Sequence, residues 1–221
     1  MIILGLTGSI GMGKTTAANN FKSFGIPVHD ADAAIHELCG PKGAAVDEIS
    51  SAFPTAISNG TVDRERLAAI VFKDRQKLTQ LEAILHPYVW AHKHKFLAYK
   101  SRGRSKLVVL DIPLLFETGG DRYCDGVVTV SAPPFIQAAR VLARPGMTQE
   151  KMNAILERQM PDAEKCRRAD FVLRTGLGRI ESFRAVHRIL EEARKWRGRH
   201  WPPSCLPISG NKAGAAVRST N

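Results

Sequence analysis

The sequence predicts an α/β fold in which a parallel sheet of about five strands is flanked by helices. Short apolar runs alternate along the chain with stretches of helical periodicity, and a glycine-rich segment joins the first apolar run to the first helix. Strands separated by helices pair in parallel, because a parallel connection has to cross over the sheet. The chain has 221 residues, of which 44% are hydrophobic, so it is long enough to bury one such core.

The predicted strands are short apolar segments without the alternation of a half-exposed strand, which indicates burial on both faces. Because parallel strands end at the same edge of a sheet, the polar residues that follow them are expected to lie together. In chain order these strands cover residues 2–6, 26–29, 106–111, 126–130 and 171–173.

Helical patterns fill the intervals between these strands. Residues 14–24 and 180–196 are predicted helices packed on the sheet, and two helices joined at Pro145-Gly146 fill residues 135–160. From about residue 33 to about residue 102, apolar residues recur at helical spacing with few strand signals, which predicts an inserted helical lobe. The predicted domain therefore spans residues 1–199, with a core of about 1–32, 105–132 and 165–197, a lobe of about 33–103 and a lid of about 133–164.

Positive charge is concentrated at the end of the chain. The formal net charge is +11, and from Arg194 onward there is no acidic residue, so more than half of the excess lies in that segment. Residues 200–221 also lack apolar periodicity, which predicts a disordered basic tail whose deletion after Arg199 leaves activity within a few-fold. Since the remaining body is only mildly basic, no specific nucleic-acid partner is expected.

The cysteines and the N-terminus indicate a cytoplasmic protein. The four cysteines lie far apart, without the paired spacing of a zinc or redox site, which is typical of a reducing compartment. The first apolar run is too short for a signal peptide, and Asp111 and Pro113 interrupt the longest later one, so no membrane partner is expected.

The segment from Gly8 to Thr15 matches the phosphate-binding pattern G-x-x-x-x-G-K-[ST] between a predicted strand and a predicted helix. Its glycines would let successive backbone N–H groups converge on phosphate oxygens at a helix N-terminus. Lys14 is expected to contact the β- and γ-phosphates of a nucleoside triphosphate, and the Thr15 hydroxyl is expected to ligate Mg²⁺. A glycine-rich turn that serves packing alone is the structural alternative. The predicted nucleotide-binding residues are Gly8, Ser9, Ile10, Gly11, Met12, Gly13, Lys14, Thr15 and Thr16.

Carboxylates follow the second and third predicted strands. Asp111 ends a hydrophobic strand, where a carboxylate can hold Mg²⁺ directly or through water. Asp30 and Asp32 follow the preceding strand and are expected to face the phosphates. The alternative is that Asp30 caps a helix and that Asp32 in its first turn interacts with the helix dipole.

Five stretches give the chain a family resemblance: LTGSIGMGKTT, FGIPVHDAD, LHPYVW, VLDIPLLFE and ADFVLRTG. In order and approximate spacing they resemble the dephospho-CoA kinase family over about residues 1–195. The resemblance implies a nucleotide-kinase-like fold that transfers the γ-phosphate of ATP to the ribose 3′-hydroxyl of dephospho-CoA. It also implies that Asp32 is the base at the acceptor hydroxyl, whereas Asp30 is the first carboxylate of the D-x-D stretch.

Two arginines of the predicted lid are candidates for a phosphate clamp. Arg140 and Arg144 are four residues apart in a helical pattern, so their side chains are expected to share one face. The lid arginines of the family fall at these positions, which assigns Arg140 to catalysis and Arg144 to ATP binding. A solvated basic face is the alternative.

The chain departs from the family pattern at two places. An arginine that commonly follows D-A-D is replaced by Ile35-His36, which affects a substrate contact. The usual Asp-Asn after the last strand is replaced by Arg174-Thr175, which leaves the adenine contacts unassigned.

Two other functions remain open from the residues alone. One is a kinase of another small molecule such as AMP, and the other is a P-loop switch or a nucleic-acid-stimulated ATPase. The first fits the D-x-D and DIPLLFE stretches poorly, and a guanine-binding N-K-x-D motif is absent from the sequence. The expected protein is a monomer or a small homo-oligomer.

Overall fold

A computed structural model of the chain describes residues 1–58, 60–72 and 74–202. The strands are β1 Ile2–Thr7, β2 Val28–Asp30, β3 Ile57–Ser58, β4 Thr61–Val62, β5 Leu107–Asp111, β6 Gly126–Ser131 and β7 Phe171–Arg174. The α-helices are α1 Lys14–Ser23, α2 Ala31–Cys39, α3 Val46–Ala52, α4 Arg64–Phe72, α5 Arg75–Arg102, α6 Pro134–Leu142, α7 Gln149–Leu156, α8 Asp162–Arg168 and α9 Arg179–Ala193.

The main sheet has five parallel strands in the order β2-β5-β1-β6-β7, which confirms the predicted fold class. The register pairs Leu6 of β1 with Asp111 of β5, and Asp111 in turn with Asp30 of β2. All five strands therefore end at one edge, and the segments that follow β1, β2 and β5 start side by side.

The core of the sheet forms around β1, every residue of which is buried. Leu4 and Leu6 pack with Phe21 of α1 and with Val186 and Leu190 of α9. These five side chains are at most 1% exposed. Burial on both faces explains why β1 lacks polar alternation, and it places the segment after β1 at a fixed point of the molecule.

The inserted helical segment has a second core of its own. Leu38 of α2, Ile49 of α3, Leu67 of α4 and Leu81 of α5 are buried together. Within it, β3 and β4 form a short antiparallel hairpin that the sequence did not predict. Pro87 lies inside the 28-residue helix α5. The packed apolar face therefore outweighs the one backbone hydrogen bond that proline removes.

The predicted lid contains α6 and α7, and a further helix, α8, which was not predicted, begins at its end. Helix α6 ends at Leu142, so Arg144 lies beyond it in the turn that contains Gly146 at φ 70°. The argument that Arg140 and Arg144 share a helix face is therefore wrong. Pro145 favours an extended residue before it, which ends the helix before Arg144 can continue it.

The packed part of the chain continues past the predicted start of the tail. Trp201 is half-buried, packs against the cluster around Leu97 and Val108, and lies 5.8 Å from His94 between ring centroids. The Arg199 N–H also donates to Asp125 Oδ1 at 2.5 Å. The rest of the predicted disordered tail, residues 203–221, lies outside the described residues. In the described part of the chain, none of the helices combines the length and apolarity needed to cross a membrane.

Two truncations test the contribution of Trp201. Deletion after Pro202 is expected to leave turnover within a few-fold, because the removed residues, 203–221, lack an apolar pattern in their sequence. Deletion after Arg199 also removes Trp201 and should lower the free energy of unfolding by about 1 kcal/mol relative to the first truncation, since its half-buried ring is lost. Chemical denaturation of the two truncated proteins measures the difference. Equal stabilities would contradict a packing role for Trp201.

Candidate active site

An open cleft of about 730 Å³ lies at the carboxyl edge of the sheet. It is bounded by the glycine-rich loop after β1, the start of α2, the lid, and the segment between β7 and α9. Of the residues predicted from sequence, the cleft is lined by Gly8, Ser9, Ile10, Gly11, Gly13, Lys14, Thr15, Thr16, Asp32, Arg140 and Arg144.

Two predicted site residues do not line the cleft. Met12 is buried, and its Sδ lies 3.1 Å from the N–H of Ala132, so its side chain anchors the loop to the segment after β6. Asp111 is 4% exposed and lies behind Lys14.

The loop after β1 requires glycine at two positions. Gly11 and Gly13 have φ values of 77° and 93°, in the left-handed region that glycine adopts without strain. A Cβ on Gly11 would lie 2.5 Å from Val141 of the lid, and one on Gly13 would lie 3.0 Å from the Thr175 hydroxyl. Gly13 caps α1 without a side-chain hydrogen bond, so the first N–H groups of the helix can bind phosphate oxygens.

An ion pair joins Lys14, at the start of α1, to Asp111, at the end of β5. Lys14 Nζ lies 2.5 Å from Asp111 Oδ1. Burial raises the pKa of Asp111 above its usual value, and the charges of Asp30 and Asp32 act in the same direction, while Lys14 opposes the shift. The pair therefore presents a cation at the cleft and places a carboxylate directly behind it.

The two aspartates that follow β2 have different surroundings. Asp30 Oδ1 accepts the Ala33 N–H at 3.0 Å and caps α2, as the capping alternative predicted. Asp32 lies in the first turn of α2, is exposed and lines the cleft. Among the described residues, Asp32 has neither a hydrogen-bond nor an ion-pair partner for its carboxylate. Its carboxylate is therefore available to a bound molecule.

Behind Asp30, two histidines connect β2 to the inserted lobe. His29 Nε2 lies 3.0 Å from His92 Nδ1 of α5, and His92 Nε2 lies 3.4 Å from Glu37 of α2. Burial, with the nearby His92 and Lys93, lowers the pKa of His29 to about 4. His29 is thus neutral at ordinary pH and supports the strand end that carries Asp30. No local sequence pattern indicates this contact, because His29 and His92 are distant in the chain.

Arg140 of the lid is attached to the end of β7 and to the phosphate-binding loop. Its Nη1 donates to Thr175 Oγ1 and its Nη2 to the Thr175 carbonyl oxygen, both at 2.9 Å. The Thr175 hydroxyl donates in turn to the Met12 carbonyl oxygen at 2.5 Å. Thr175, the second residue of the Arg174-Thr175 departure from the family pattern, therefore orients a predicted catalytic arginine.

Two glutamines of the lid segment hold the tip of the phosphate-binding loop, and sequence reasoning missed both. The Ile10 N–H donates to Gln159 Oε1 at 3.0 Å, and Gln137 Nε2 donates to the Ile10 carbonyl oxygen at 2.8 Å. Gln137 is 7% exposed, which is low for a glutamine on a predicted surface helix. The loop conformation therefore depends on the lid as well as on its own glycines.

A buried ion pair connects the segment after β5 to α8. Lys165 is 0% exposed, and its Nζ lies 2.9 Å from Glu117 Oε1 and 3.3 Å from the Pro113 carbonyl oxygen. Glu117 Oε1 also accepts the Met160 N–H at 2.8 Å. This pair fixes the far end of the lid segment against the strand that carries Asp111.

A bridge between the inserted lobe and the lid is formed by Phe72 and Arg158. The guanidinium carbon of Arg158 lies 4.2 Å from the centroid of the Phe72 ring, a cation–π contact.

Taken together, the loop after β1, the acid at the end of β5 and the lid arginine define the class as a P-loop phosphotransferase that uses a nucleoside triphosphate. The family model for dephospho-CoA kinase matches residues 2–178. The chain belongs to the dephospho-CoA kinase family: it is an ATP-dependent kinase that phosphorylates dephospho-CoA in coenzyme A biosynthesis.

Named relatives support the family assignment along most of the chain. A dephospho-CoA kinase of Paramagnetospirillum magneticum is 58% identical over 165 residues, which cover 75% of this chain and 78% of the relative. One of Mesorhizobium japonicum is 52% identical over 199 residues, which cover 90% of this chain and 100% of the relative.

Solved structures share the fold. A crystal structure from Thermus thermophilus has a TM-score of 0.75 at 39% identity and covers 86% of this chain and 97% of its own. The dephospho-CoA kinase of Campylobacter jejuni has a TM-score of 0.60 at 21% identity, covers 88% of this chain and 98% of its own, and supports the fold alone.

Replacing Thr175 by valine is expected to lower both stability and turnover. The Thr175→Val side chain keeps the shape but leaves the Met12 carbonyl without its donor, which costs about 1–3 kcal/mol. Turnover is expected to fall about tenfold, because Arg140 loses one of its two anchors on Thr175. Thermal unfolding and kcat are measured beside Thr175→Ser, which keeps the hydroxyl. A valine variant as active as the serine variant would show that Arg140 does not need this contact.

Proposed function

We propose that Asp32 lies at the acceptor hydroxyl when this kinase transfers the γ-phosphate of ATP to the ribose 3′-hydroxyl of dephospho-CoA, and that the transfer takes place in the cleft at the sheet edge. The observation that carries the assignment is the carboxylate of Asp32, which lies in the same cleft as the phosphate-binding loop and has no partner in the described part of the chain. Asp30, two residues earlier, is engaged in capping α2 and is a poorer candidate.

The transfer uses three side chains in separate roles. Asp32 accepts the proton of the 3′-hydroxyl as the ribose oxygen bonds to the γ-phosphorus, and the bond from that phosphorus to the bridging oxygen of ADP breaks. Lys14 and Arg140 stabilise the charge that moves onto the phosphate oxygens. Arg144, which lines the cleft on the lid side, contacts the phosphates of ATP.

The residues present fit a magnesium ion. Thr15 is exposed at the cleft beside Lys14, and the pKa of Asp111 is raised first by burial and further by the nearby charges of Asp30 and Asp32. A divalent cation would reduce this repulsion, with Thr15 and Asp111 as ligands, directly or through water. Among the described residues no group of three His, Cys, Asp or Glu side chains could hold a metal, which suits an ion bound largely by phosphates and water. When bound, Mg²⁺ supplies charge stabilisation to the phosphates.

A cytoplasmic location as a monomer or small homo-oligomer fits this activity. ATP is the phosphate donor, and Cys39, Cys124 and Cys166 are free thiols, which is typical of proteins in reducing compartments.

An acceptor panel tests the activity directly. Purified protein is mixed with Mg-ATP and with dephospho-CoA, AMP or shikimate in separate reactions, while ADP release and the phosphorylated product are followed. Product from dephospho-CoA in clear preference to the other acceptors is expected. Equal turnover of AMP would contradict the proposed acceptor.

Lys14→Ala is expected to abolish phosphoryl transfer nearly completely, because Lys14 stabilises the charge on the β- and γ-phosphates. The protein should still fold, but the free energy of unfolding should fall, since Asp111 loses its counter-ion in a buried site. In Lys14→Ala/Asp111→Asn the unpaired charge is absent, so thermal stability should recover while kcat does not. Near-normal turnover in folded Lys14→Ala would contradict the role of the loop.

Asp32→Asn separates a catalytic base from a helix-dipole residue. The change keeps the shape but removes the basicity, so kcat should fall by about 10²- to 10⁴-fold with ATP affinity nearly unchanged. A role limited to the helix terminus predicts instead a stability loss of about 1 kcal/mol or less and nearly normal turnover. Asp30→Asn is the matched control, because it removes a neighbouring carboxylate and keeps a capping side chain. A kcat for Asp32→Asn within tenfold of wild type would exclude Asp32 as the base.

A further inference from the structure

The face of α2 that carries Asp32 continues to a second polar side chain. His36 lies four residues after Asp32 in the same helix, so the two side chains are neighbours on one face, with their Cβ atoms about 5–6 Å apart. Both residues are exposed. This face therefore extends from the proposed reaction centre into the inserted lobe.

A cation is held at the far end of this face. Arg64, the first residue of α4, places its Nη1 2.9 Å from His36 Nδ1. Because a guanidinium can only donate, His36 accepts through an unprotonated Nδ1. Arg64 keeps its full positive charge in this pair, and its remaining N–H groups are available to another acceptor.

Arg64 has no acidic partner among the described residues, in contrast to the next arginine along α4. Arg66 Nε lies 3.1 Å from Asp63 Oδ2, so the neighbouring carboxylate is engaged elsewhere. Asp63 Oδ1 also caps the helix by accepting the Arg66 N–H at 3.1 Å. An exposed arginine that is oriented by a histidine rather than neutralised by an acid is suited to bind an anion.

The acceptor substrate carries an anion at a matching position. In dephospho-CoA the 3′-hydroxyl and the 5′-diphosphate are attached to the same ribose unit. Three carbons separate the hydroxyl oxygen from the ester oxygen that carries the diphosphate. A substrate whose 3′-hydroxyl meets Asp32 therefore has its diphosphate within about one helical turn of it. We propose that Arg64, oriented by His36, binds the 5′-diphosphate of the acceptor; the proposal rests on the proposed function.

The same geometry separates this site from the ATP site. The triphosphate of ATP belongs to the loop after β1, with Lys14 and Arg140 around it, whereas Arg64 belongs to the inserted lobe. Arg64 thus acts on the affinity for the acceptor and leaves the affinity for ATP and the chemical step unchanged.

Steady-state kinetics of Arg64→Gln test the assignment. The KM for dephospho-CoA is expected to rise about 10- to 100-fold, the range for losing a charge-assisted hydrogen bond, while kcat and the KM for ATP stay within about twofold. Arg64→Lys should recover part of the loss because it restores the charge. Arg66→Gln is the matched control: it removes the same charge from the same helix and should leave all three constants near wild type.

Ionic strength and His36 provide two further measurements. Added salt should raise the KM for dephospho-CoA of the wild type more steeply than that of Arg64→Gln, because the lost contact is electrostatic. His36→Ala should raise the same KM by a smaller factor, and Arg64→Gln/His36→Ala should equal Arg64→Gln alone, since His36 acts through Arg64.

The outcomes distinguish this inference from the function on which it rests. If the wild type phosphorylates dephospho-CoA and Arg64→Gln keeps its KM, the diphosphate assignment is overturned and the proposed function stands. The assignment is likewise overturned if Arg64→Gln lowers kcat and raises the KM for ATP equally, or if Arg66→Gln has the same effect. If the wild type does not phosphorylate dephospho-CoA at all, the proposed function itself fails.

Discussion

The central position of β1 is the constraint on which the site depends. This strand is hydrogen-bonded to β5 on one side and β6 on the other, and it is buried on both faces. Its end therefore cannot shift without breaking two ladders and the core. Because the register pairs Leu6 with Asp111, the loop that follows β1 brings Lys14 within 2.5 Å of that carboxylate. A rigid backbone thus sets the distance between Lys14 and the acid behind it.

The parts of the fold that were predictable from sequence have local signals. The apolar runs that became the five-stranded sheet, the glycines at positions 11 and 13, and the acid at the end of β5 can each be read within a few residues. The family assignment, also confirmed, rested on several such stretches together. The roles of Asp32, Arg140 and Arg144 in the reaction stay predictions, although the structure places all three around one cleft.

The contacts that sequence reasoning missed join residues that are far apart in the chain. Arg140 meets Thr175 35 residues away, and Ile10 meets Gln159 149 residues away. No pattern within either segment encodes its partner, because tertiary packing selects it. Tertiary packing also acts at Pro87, where burial of the helix face compensates for the missing hydrogen bond within α5. Local rules failed at Arg144 because helix ends shift by more residues than a spacing argument tolerates.

The buried pair of Lys165 and Glu117 restricts how the sequence can diverge. Loss of either partner alone leaves an uncompensated charge in the interior, a cost of about 3–5 kcal/mol that is a large fraction of the stability of a typical domain. Replacing both by apolar residues removes the charges but leaves the Met160 N–H without its acceptor. The two positions are thus epistatic: a viable evolutionary path changes them together, or first repacks the backbone around Met160. Among divergent relatives, substitutions at these two positions should therefore occur together.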